Sequence, residues 1–235
     1  MHGKMRIPAA ELLGVGIYVP AEAAAYAGVQ TGQITRWVHG NARGDPVVPA
    51  QFRERREIIT FVDLVQAMAV RDMRRQGISL QRIRDAADWM RRHYPEIRYP
   101  FAVEHRTYVN TVSKQIVIVR RGDDPTSIVQ VSGDRKGQLV EKRLLDQYLR
   151  KLKFDGAGLA SRYIAMDEGD RRIVLDPQIR LGQPRVEPCG YLVDTLVAAA
   201  SAEGGAEVAA WWYKVDKADV DLALKFHKSL GGKAA

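Results

Sequence analysis

The sequence predicts a mainly α-helical protein with small β-hairpins, and three observations lead to this prediction. Two short helical segments meet at a glycine near the N-terminus. Several later stretches repeat apolar residues at steps of three and four, the spacing of a buried helix face. β-branched runs bounded by turn residues occur mainly in the middle of the chain. We expect an N-terminal winged helix-turn-helix at 1–98, a mixed β-hairpin and helix connecting region at 99–168 and a C-terminal helical domain at 169–235.

The stretch 20–39 has the spacing of a helix-turn-helix. Counted from Pro20, Ala24 is fifth, where a small side chain lets the two helices approach closely. Gly28 is ninth, where the turn requires a residue that tolerates positive φ. Ile34 is fifteenth, the position of a branched apolar side chain facing the core. A helical hairpin that packs in a core without contacting DNA has the same spacing, and it remains the alternative.

The outward face of the second helix in this pair carries polar side chains that can hydrogen-bond base edges or phosphates. They are the first group of candidate DNA-binding residues: Thr31, Gln33, Thr35 and Arg36.

A basic segment follows the helix pair. Two β-prone pieces, Val47-Val48 and Ile58-Ile59, flank Arg53, Arg55 and Arg56. We interpret the segment as a two-stranded wing with a basic tip and add the three arginines to the candidate DNA-binding residues. A solvated surface loop is the alternative.

Two longer helices are expected next. Thr60 can cap the first, with Asp63 well placed in its first turn, and Gly77 ends it. Ser79 can cap the second, which is our candidate for self-association, because a protein that reads DNA as a homodimer needs such a surface. Its apolar stripe comprises Leu80, Ile83, Ala87, Met90 and Tyr94.

The middle of the chain has a mixed pattern. A hairpin is predicted at 106–111 and 115–120, with a third strand at 127–132. Apolar spacing predicts a helix at 139–152, and a short strand is expected at 162–165.

The C-terminal part begins with a strand near residue 173 and continues with helices at about 192–200, 207–213 and 217–230. Asp216 is a suitable N-cap for the last helix. The face of that helix predicted to be buried comprises Val220, Ala223, Leu224, His227 and Leu230.

Charge and composition narrow the class of protein. The 235 residues carry 36 Lys and Arg against 28 Asp and Glu, a formal net charge of +8. The region 1–98 holds 15 of these cations and 10 of the anions, so the basic excess is greatest beside the helix pair. A polyanionic partner is consistent with this charge. A single cysteine, no signal-peptide pattern and no long apolar run predict a cytoplasmic protein that does not contact a membrane.

No set of residues converges on an enzymatic mechanism. The five histidines are scattered, and Cys189 has no sequence neighbour that would activate a thiolate. We therefore expect no catalytic residue, no metal site and no cofactor. Of the neighbouring Trp211 and Trp212, one is expected to pack and the other to lie near the surface.

Two regions resemble known families. The segment GIYVPAEAAAYAGVQTGQITRWVHG, followed by TFVDLVQAMAVRDMRRQGISLQRIR, resembles the MerR-like winged helix-turn-helix. The segment IVLDPQIRLGQPRVEPCGYLVDTLVAAASAEGGAEVAAWWYKVDKADVDLALKFH is similar to a small helical domain of bacterial antitoxins. Together they resemble a VapB-type antitoxin of a type II toxin-antitoxin pair. One departure is Pro188-Cys189-Gly190, where the family has a Gly-Thr-Arg turn.

This resemblance implies an antitoxin that neutralises a PIN-like ribonuclease toxin by direct binding and that, as a homodimer, represses its own operon by binding operator DNA. It also implies that a basic side chain could enter the acidic, metal-binding site of the toxin. The candidates are Arg171, Arg172, Lys214 and Lys217. Two alternatives remain: a ligand-responsive MerR-like transcriptional regulator, and an interaction module that does not bind DNA.

Overall fold

The computed structural model describes residues 14–42, 44–110, 115–120, 129–130, 142–144 and 150–231. Seven α-helices lie within these residues: α1 Pro20–Ala27, α2 Thr31–His39, α3 Phe61–Arg75, α4 Leu80–His93, α5 Val193–Ala202, α6 Ala206–Tyr213 and α7 Lys217–Gly231. Ten strands accompany them: β1 Ile17–Tyr18, β2 Ile59–Thr60, β3 His105–Asn110, β4 Gln115–Arg120, β5 Val129–Gln130, β6 Lys142–Leu144, β7 Leu152–Phe154, β8 Ala160–Glu168, β9 Arg171–Leu175 and β10 Arg185–Glu187.

Helix α3 lies at the centre of the N-terminal core. Every residue from 61 to 70 is buried, because α1, α2, α4 and β2 all pack around this helix. The Thr60 hydroxyl accepts a hydrogen bond from the Asp63 N–H at 3.2 Å, and the Asp63 carboxylate accepts one from the Thr60 N–H at 3.1 Å. The predicted cap is confirmed, and this reciprocal pair satisfies two N–H groups at the start of the helix.

Helix α4 completes the same core. Ile83, Ala87 and Met90 are buried in it, as the apolar spacing predicts. The chain's own core covers this stripe, so the stripe offers no free surface for self-association, and self-association through another face of α4 stays a prediction.

The predicted wing is not formed as a pair of strands. The N–H groups of Val47 and Val48 both donate to the Trp37 carbonyl, at 2.7 and 3.2 Å. Ile59 instead pairs with Tyr18 in the β1–β2 ladder. The segment 47–58 therefore consists of turns that pack on the end of α2, which is the alternative of a surface loop.

The first four-stranded sheet has the order β5-β4-β3-β6 and is antiparallel throughout. It confirms the predicted hairpin and, at β5, the third strand. The helix predicted at 139–152 is wrong where the structure describes it. Lys142–Leu144 pairs with β3 as strand β6, and Leu152 begins β7. Pairing with a strand distant in sequence overrides the local helical spacing, and 139–141 and 145–149 lie outside the described residues.

The second four-stranded sheet, of order β10-β9-β8-β7, connects two hydrophobic cores. Tyr163 and Leu175 belong to the N-terminal core, and Ile173 and Val186 belong to the C-terminal core. The strand predicted at 162–165 is part of the longer β8. The boundary predicted at residue 169 lies in the turn between β8 and β9.

Helices α5, α6 and α7 confirm the three predicted C-terminal helices. Their packed side includes Leu196, Ala209, Val220 and Phe226. His227 is exposed, so its predicted place on the buried face of α7 is wrong. It lies one position, or about 100°, past the buried Phe226 on the helix. The fold is therefore mixed, with helices at both ends and two small sheets between them.

Candidate functional site

The first candidate site is the pair of helices α1 and α2. Ala24 is buried where the helices approach, and Gly28 has φ of 64°, the left-handed conformation expected for the turn. The Gly28 N–H donates to the Ala25 carbonyl at 3.1 Å, and the Val29 N–H donates to the Ala24 carbonyl at 3.0 Å. These bonds satisfy the last carbonyls of α1. This geometry and the complete burial of Ile34 confirm the predicted pair of helices joined by a tight turn, which the alternative of a helical hairpin shares.

The four candidates on α2 differ in how available their polar atoms are. Thr31 and Arg36 are exposed. The Gln33 side-chain oxygen accepts a hydrogen bond from the Gln30 N–H at 3.0 Å, and the Thr35 hydroxyl donates to the Thr31 carbonyl at 2.9 Å. The side-chain N–H₂ of Gln33 can therefore still donate a hydrogen bond to a base. The hydroxyl oxygen of Thr35 can only accept one. Arg36 is the side chain of α2 best placed to donate outward.

The three arginines of the loop after α2 also differ. Arg56 donates from Nη2 to the Gly40 carbonyl at 2.8 Å, which holds the loop against the end of α2. The Arg55 guanidinium pairs with Glu57 at 3.3 Å. Arg53 is exposed and, within the described part of the chain, makes neither a hydrogen bond nor an ion pair. It is therefore the loop arginine most available to a phosphate.

A cleft of about 680 Å³ separates this loop from α4, and arginines line it from both sides. Arg84 donates to the Asp45 carbonyl at 3.1 Å and to the Pro46 carbonyl at 3.3 Å, while the Arg91 guanidinium pairs with Asp88. Arg53 faces them from the loop. Arg84 and Arg91 are not among the predicted DNA-binding residues, although both lie off the apolar stripe of α4. Asp45 and Asp88 also line the cleft, so it carries charges of both signs.

The second candidate site is the outer face of α6. Its buried positions are small, since Ala209 and Ala210 pack against the neighbouring helices. Its large apolar side chains point outward: Val208 is 41% exposed, Trp212 58% and Trp211 71%. The prediction that one tryptophan packs is wrong, because the space beneath α6 is filled by the alanines.

The basic residues that the resemblance suggested for the toxin site are mostly engaged in the structure. Arg171 lies between the carboxylates of Asp216 and Asp219, at 2.5 and 3.0 Å. The guanidinium of Arg172 pairs with a carboxylate at 3.1 Å, and the ammonium of Lys217 pairs with one at 2.8 Å. Lys214 is exposed and ends α6 with φ of 51°. Of the four cations, Lys214 is therefore the most accessible.

The turn that departs from the antitoxin pattern shows no reactive chemistry. Cys189 is half-buried, and its thiol lies 3.7 Å from the Val186 carbonyl. Burial raises the pKa of this thiol, which disfavours the reactive thiolate. In the portion of the chain that the structure describes, no cluster of His, Cys, Asp and Glu is suited to a metal ion. No helix there is both long and apolar enough to cross a bilayer.

A small contact region joins the N-terminal helix pair to the C-terminal part of the chain. The Tyr18 hydroxyl donates to the Gly182 carbonyl at 2.9 Å. Tyr26 of α1 packs edge-on against Tyr18, with ring centroids 5.6 Å apart, and stacks on Phe226 of α7 at 6.4 Å. Burial raises the pKa of both tyrosines, so both hydroxyls stay neutral at ordinary pH. The helix pair is therefore attached to the C-terminal helices through aromatic side chains.

Comparison with known proteins gives a relative with a named function. The chain is similar to a mycobacterial antitoxin candidate. That relative, "Putative antitoxin VapB45" of Mycobacterium tuberculosis, is 28% identical over 197 residues, which cover 76% of this chain and 80% of the relative. No family model matches the chain.

A solved structure supports the fold. The crystal structure of Rv2018 from Mycobacterium tuberculosis superposes with a TM-score of 0.60 at 23% sequence identity, covering 90% of this chain and 99% of the other. This likeness concerns the fold alone. It extends over 90% of this chain and 99% of the other, so the two chains share an overall fold.

Proposed function

We propose that this protein is the antitoxin of a toxin-antitoxin pair, which binds and neutralises a PIN-like ribonuclease and represses its own operon by binding operator DNA. The observation that carries the proposal is the similarity to the antitoxin candidate over four-fifths of that protein's length. Similarity of that extent includes more than a helix-turn-helix, which occurs in many unrelated regulators.

The DNA-binding half of the proposal rests on the N-terminal surface. Arg36 and Thr31 extend from the exposed side of α2, and Arg53 extends from the adjoining loop. A helix that enters the major groove beside a cation that contacts the phosphate backbone is a common mode of DNA recognition. The whole chain is also basic, with a net charge of +8. Such a charge promotes association with a polyanion.

The toxin-binding half of the proposal is assigned to the C-terminal helices. They form a core of their own on one side of the β7–β10 sheet, so they can present a protein-binding surface while α2 contacts DNA. The similar protein is named as a putative antitoxin. We therefore propose that this protein, too, acts by binding and is not an enzyme.

The experiment that tests this function is co-expression with the product of the adjoining gene. We expect the two proteins to co-purify and the isolated complex to show little ribonuclease activity. The complex, and the antitoxin alone, should also retard a fragment of the upstream DNA in a salt-dependent manner. A protein that purifies alone, retards this DNA and gains thermal stability with a small metabolite would instead be a ligand-responsive regulator.

A further inference from the structure

The outer face of α6 carries an exposed apolar cluster, which we call the tryptophan patch and define as Val208, Trp211 and Trp212. Trp211 and Trp212 are the two most exposed large apolar side chains of the described residues, at 71% and 58%. Their rings contact each other edge to face, with centroids 4.9 Å apart. Two indoles in contact with each other have already lost part of their rotamer freedom, so binding a partner costs them less entropy.

We propose that the tryptophan patch is the main contact through which this protein binds its toxin. The toxin then has an apolar pocket bordered by a basic side chain. This inference rests on the function proposed above. Tryptophan is enriched among the residues that dominate the binding free energy of protein interfaces. The indole N–H of each ring can also donate a hydrogen bond to the wall of such a pocket.

The charges around the patch favour a protein over a polyanion or a membrane. Helix α6 contains no Lys or Arg, and Glu207 lies one turn before Trp211. The neighbouring Lys217 ammonium is paired with Asp221 at 2.8 Å, which leaves exposed Lys214 as the one free cation that the described residues place next to the tryptophans. Nucleic acids and anionic lipid surfaces bind clusters of cations beside apolar groups, and a single lysine accompanied by Glu207 is not such a cluster. An apolar pocket with a basic residue facing Glu207 matches the patch in both respects.

The fold around the patch makes it a rigid surface. Ala209 and Ala210 are buried directly beneath it, and α6 packs on both α5 and α7. Removing the indole rings therefore leaves the interior side of α6 unchanged. This separates the binding role of the tryptophans from any role in folding.

The test compares the full-length chain with the double variant W211A/W212A, using purified toxin and surface-based binding kinetics. We expect the dissociation constant to rise at least about 30-fold, which corresponds to about 2 kcal/mol, the threshold of an interface hot spot. The single variant V208D should also weaken binding, because it places a charge in the patch. The control V19A removes another exposed apolar side chain, 54% exposed, and should bind the toxin as the wild type does.

The possible failures are distinguishable. If the wild-type chain does not bind the toxin, the proposed function fails and the patch loses its assigned partner with it. If wild type and W211A/W212A bind the toxin equally, the inference alone is overturned. The inference is also overturned if the double variant keeps its toxin affinity but changes from dimer to monomer. It is overturned likewise if the double variant keeps its toxin affinity but loses affinity for anionic phospholipid vesicles. Retention of upstream-DNA binding by the double variant verifies that it is folded.

Discussion

At the scale of single residues, the structure divides the candidate DNA contacts into side chains that are free and side chains already in use. Arg53 projects from the loop without a partner in the described part of the chain, whereas Arg56 holds that loop to the Gly40 carbonyl. Two arginines three positions apart thus have different physical roles. One can neutralise a phosphate, and the other fixes the position of the first.

The salt dependence of DNA binding separates these two roles. Arg53→Ala should lower the slope of log K against log salt by about 0.9, the value expected when one phosphate of duplex DNA is no longer neutralised by the protein. Arg56→Ala should lower the melting temperature, because the Gly40 carbonyl loses its partner. Lys228→Ala, which removes an exposed cation of α7, is the control. An unchanged slope in Arg53→Ala would remove this loop from the DNA interface.

A second prediction at this scale concerns Tyr18. Its ring is buried, and its hydroxyl donates to the buried Gly182 carbonyl across the contact between the two ends of the chain. Tyr18→Phe should lower the free energy of unfolding by about 1–3 kcal/mol, since it leaves that carbonyl unsatisfied. Tyr191→Phe, on a ring that is 37% exposed, should have little effect. Equal urea midpoints for the two variants would contradict the assigned hydrogen bond.

At the scale of elements, α3 depends on a buried carboxyl group at its start. The Asp63 carboxylate is almost wholly buried. It accepts hydrogen bonds from the backbone N–H groups of Thr60 and Gln51, at 3.1 and 3.0 Å. Burial raises its pKa above the usual value of 3.8, although the hydrogen bonds and His39 oppose that shift. The folded state therefore binds the proton of this carboxyl more tightly than the unfolded state does.

The sign of the pH effect follows from this raised pKa. The contribution of Asp63 to stability is fully present below the unfolded pKa, near 3.8, and is lost as pH rises through the higher folded value. The unfolding free energy of the wild type minus that of Asp63→Asn should therefore decline as pH increases above about 4. Urea titrations of both proteins at several pH values measure this difference. A difference that rises with pH would contradict the dominance of burial.

The sequence predicted best those elements whose determinants are local. The helix-turn-helix followed from Ala24, Gly28 and Ile34, three residues within one short segment. The wing and the helix at 139–152 were wrong because their outcome depends on distant partners: Ile59 pairs with Tyr18, and β6 pairs with β3. Nothing within those segments encodes these partners.

The candidate sites show the same distinction. Helical spacing was sufficient to predict the polar face of α2. The engagement of Gln33 with the Gln30 N–H, of Arg56 with Gly40, and of Arg171 with its carboxylates depends on the folded arrangement. The exposure of both tryptophans was also missed, because it results from the small size of the alanines beneath them.

At the scale of the whole molecule, the two hydrophobic cores share one sheet. Tyr163 and Leu175 face the N-terminal core, while Ile173 faces the C-terminal core. The stack of Tyr26 on Phe226 adds a direct contact between helices of the two cores. Loss of either core would therefore expose apolar surface of the other.

This arrangement predicts that the two cores unfold together. Tryptophan fluorescence of W211F/W212F reports on Trp37 and Trp89 of the N-terminal core, while far-UV circular dichroism reports on all helices. We expect one denaturation midpoint from both signals, as in a two-state transition. Two separated midpoints would show that the cores are energetically independent.

The most direct test of the central claim is to titrate the ribonuclease activity of the purified product of the adjoining gene with this protein. The proposed function predicts that activity falls to background near molar equivalence, since a neutralising complex binds tightly and blocks the active enzyme. If activity is unchanged at a large molar excess of a chain that still binds its upstream DNA, the protein is a DNA-binding regulator of another kind, and its assignment as an antitoxin is wrong.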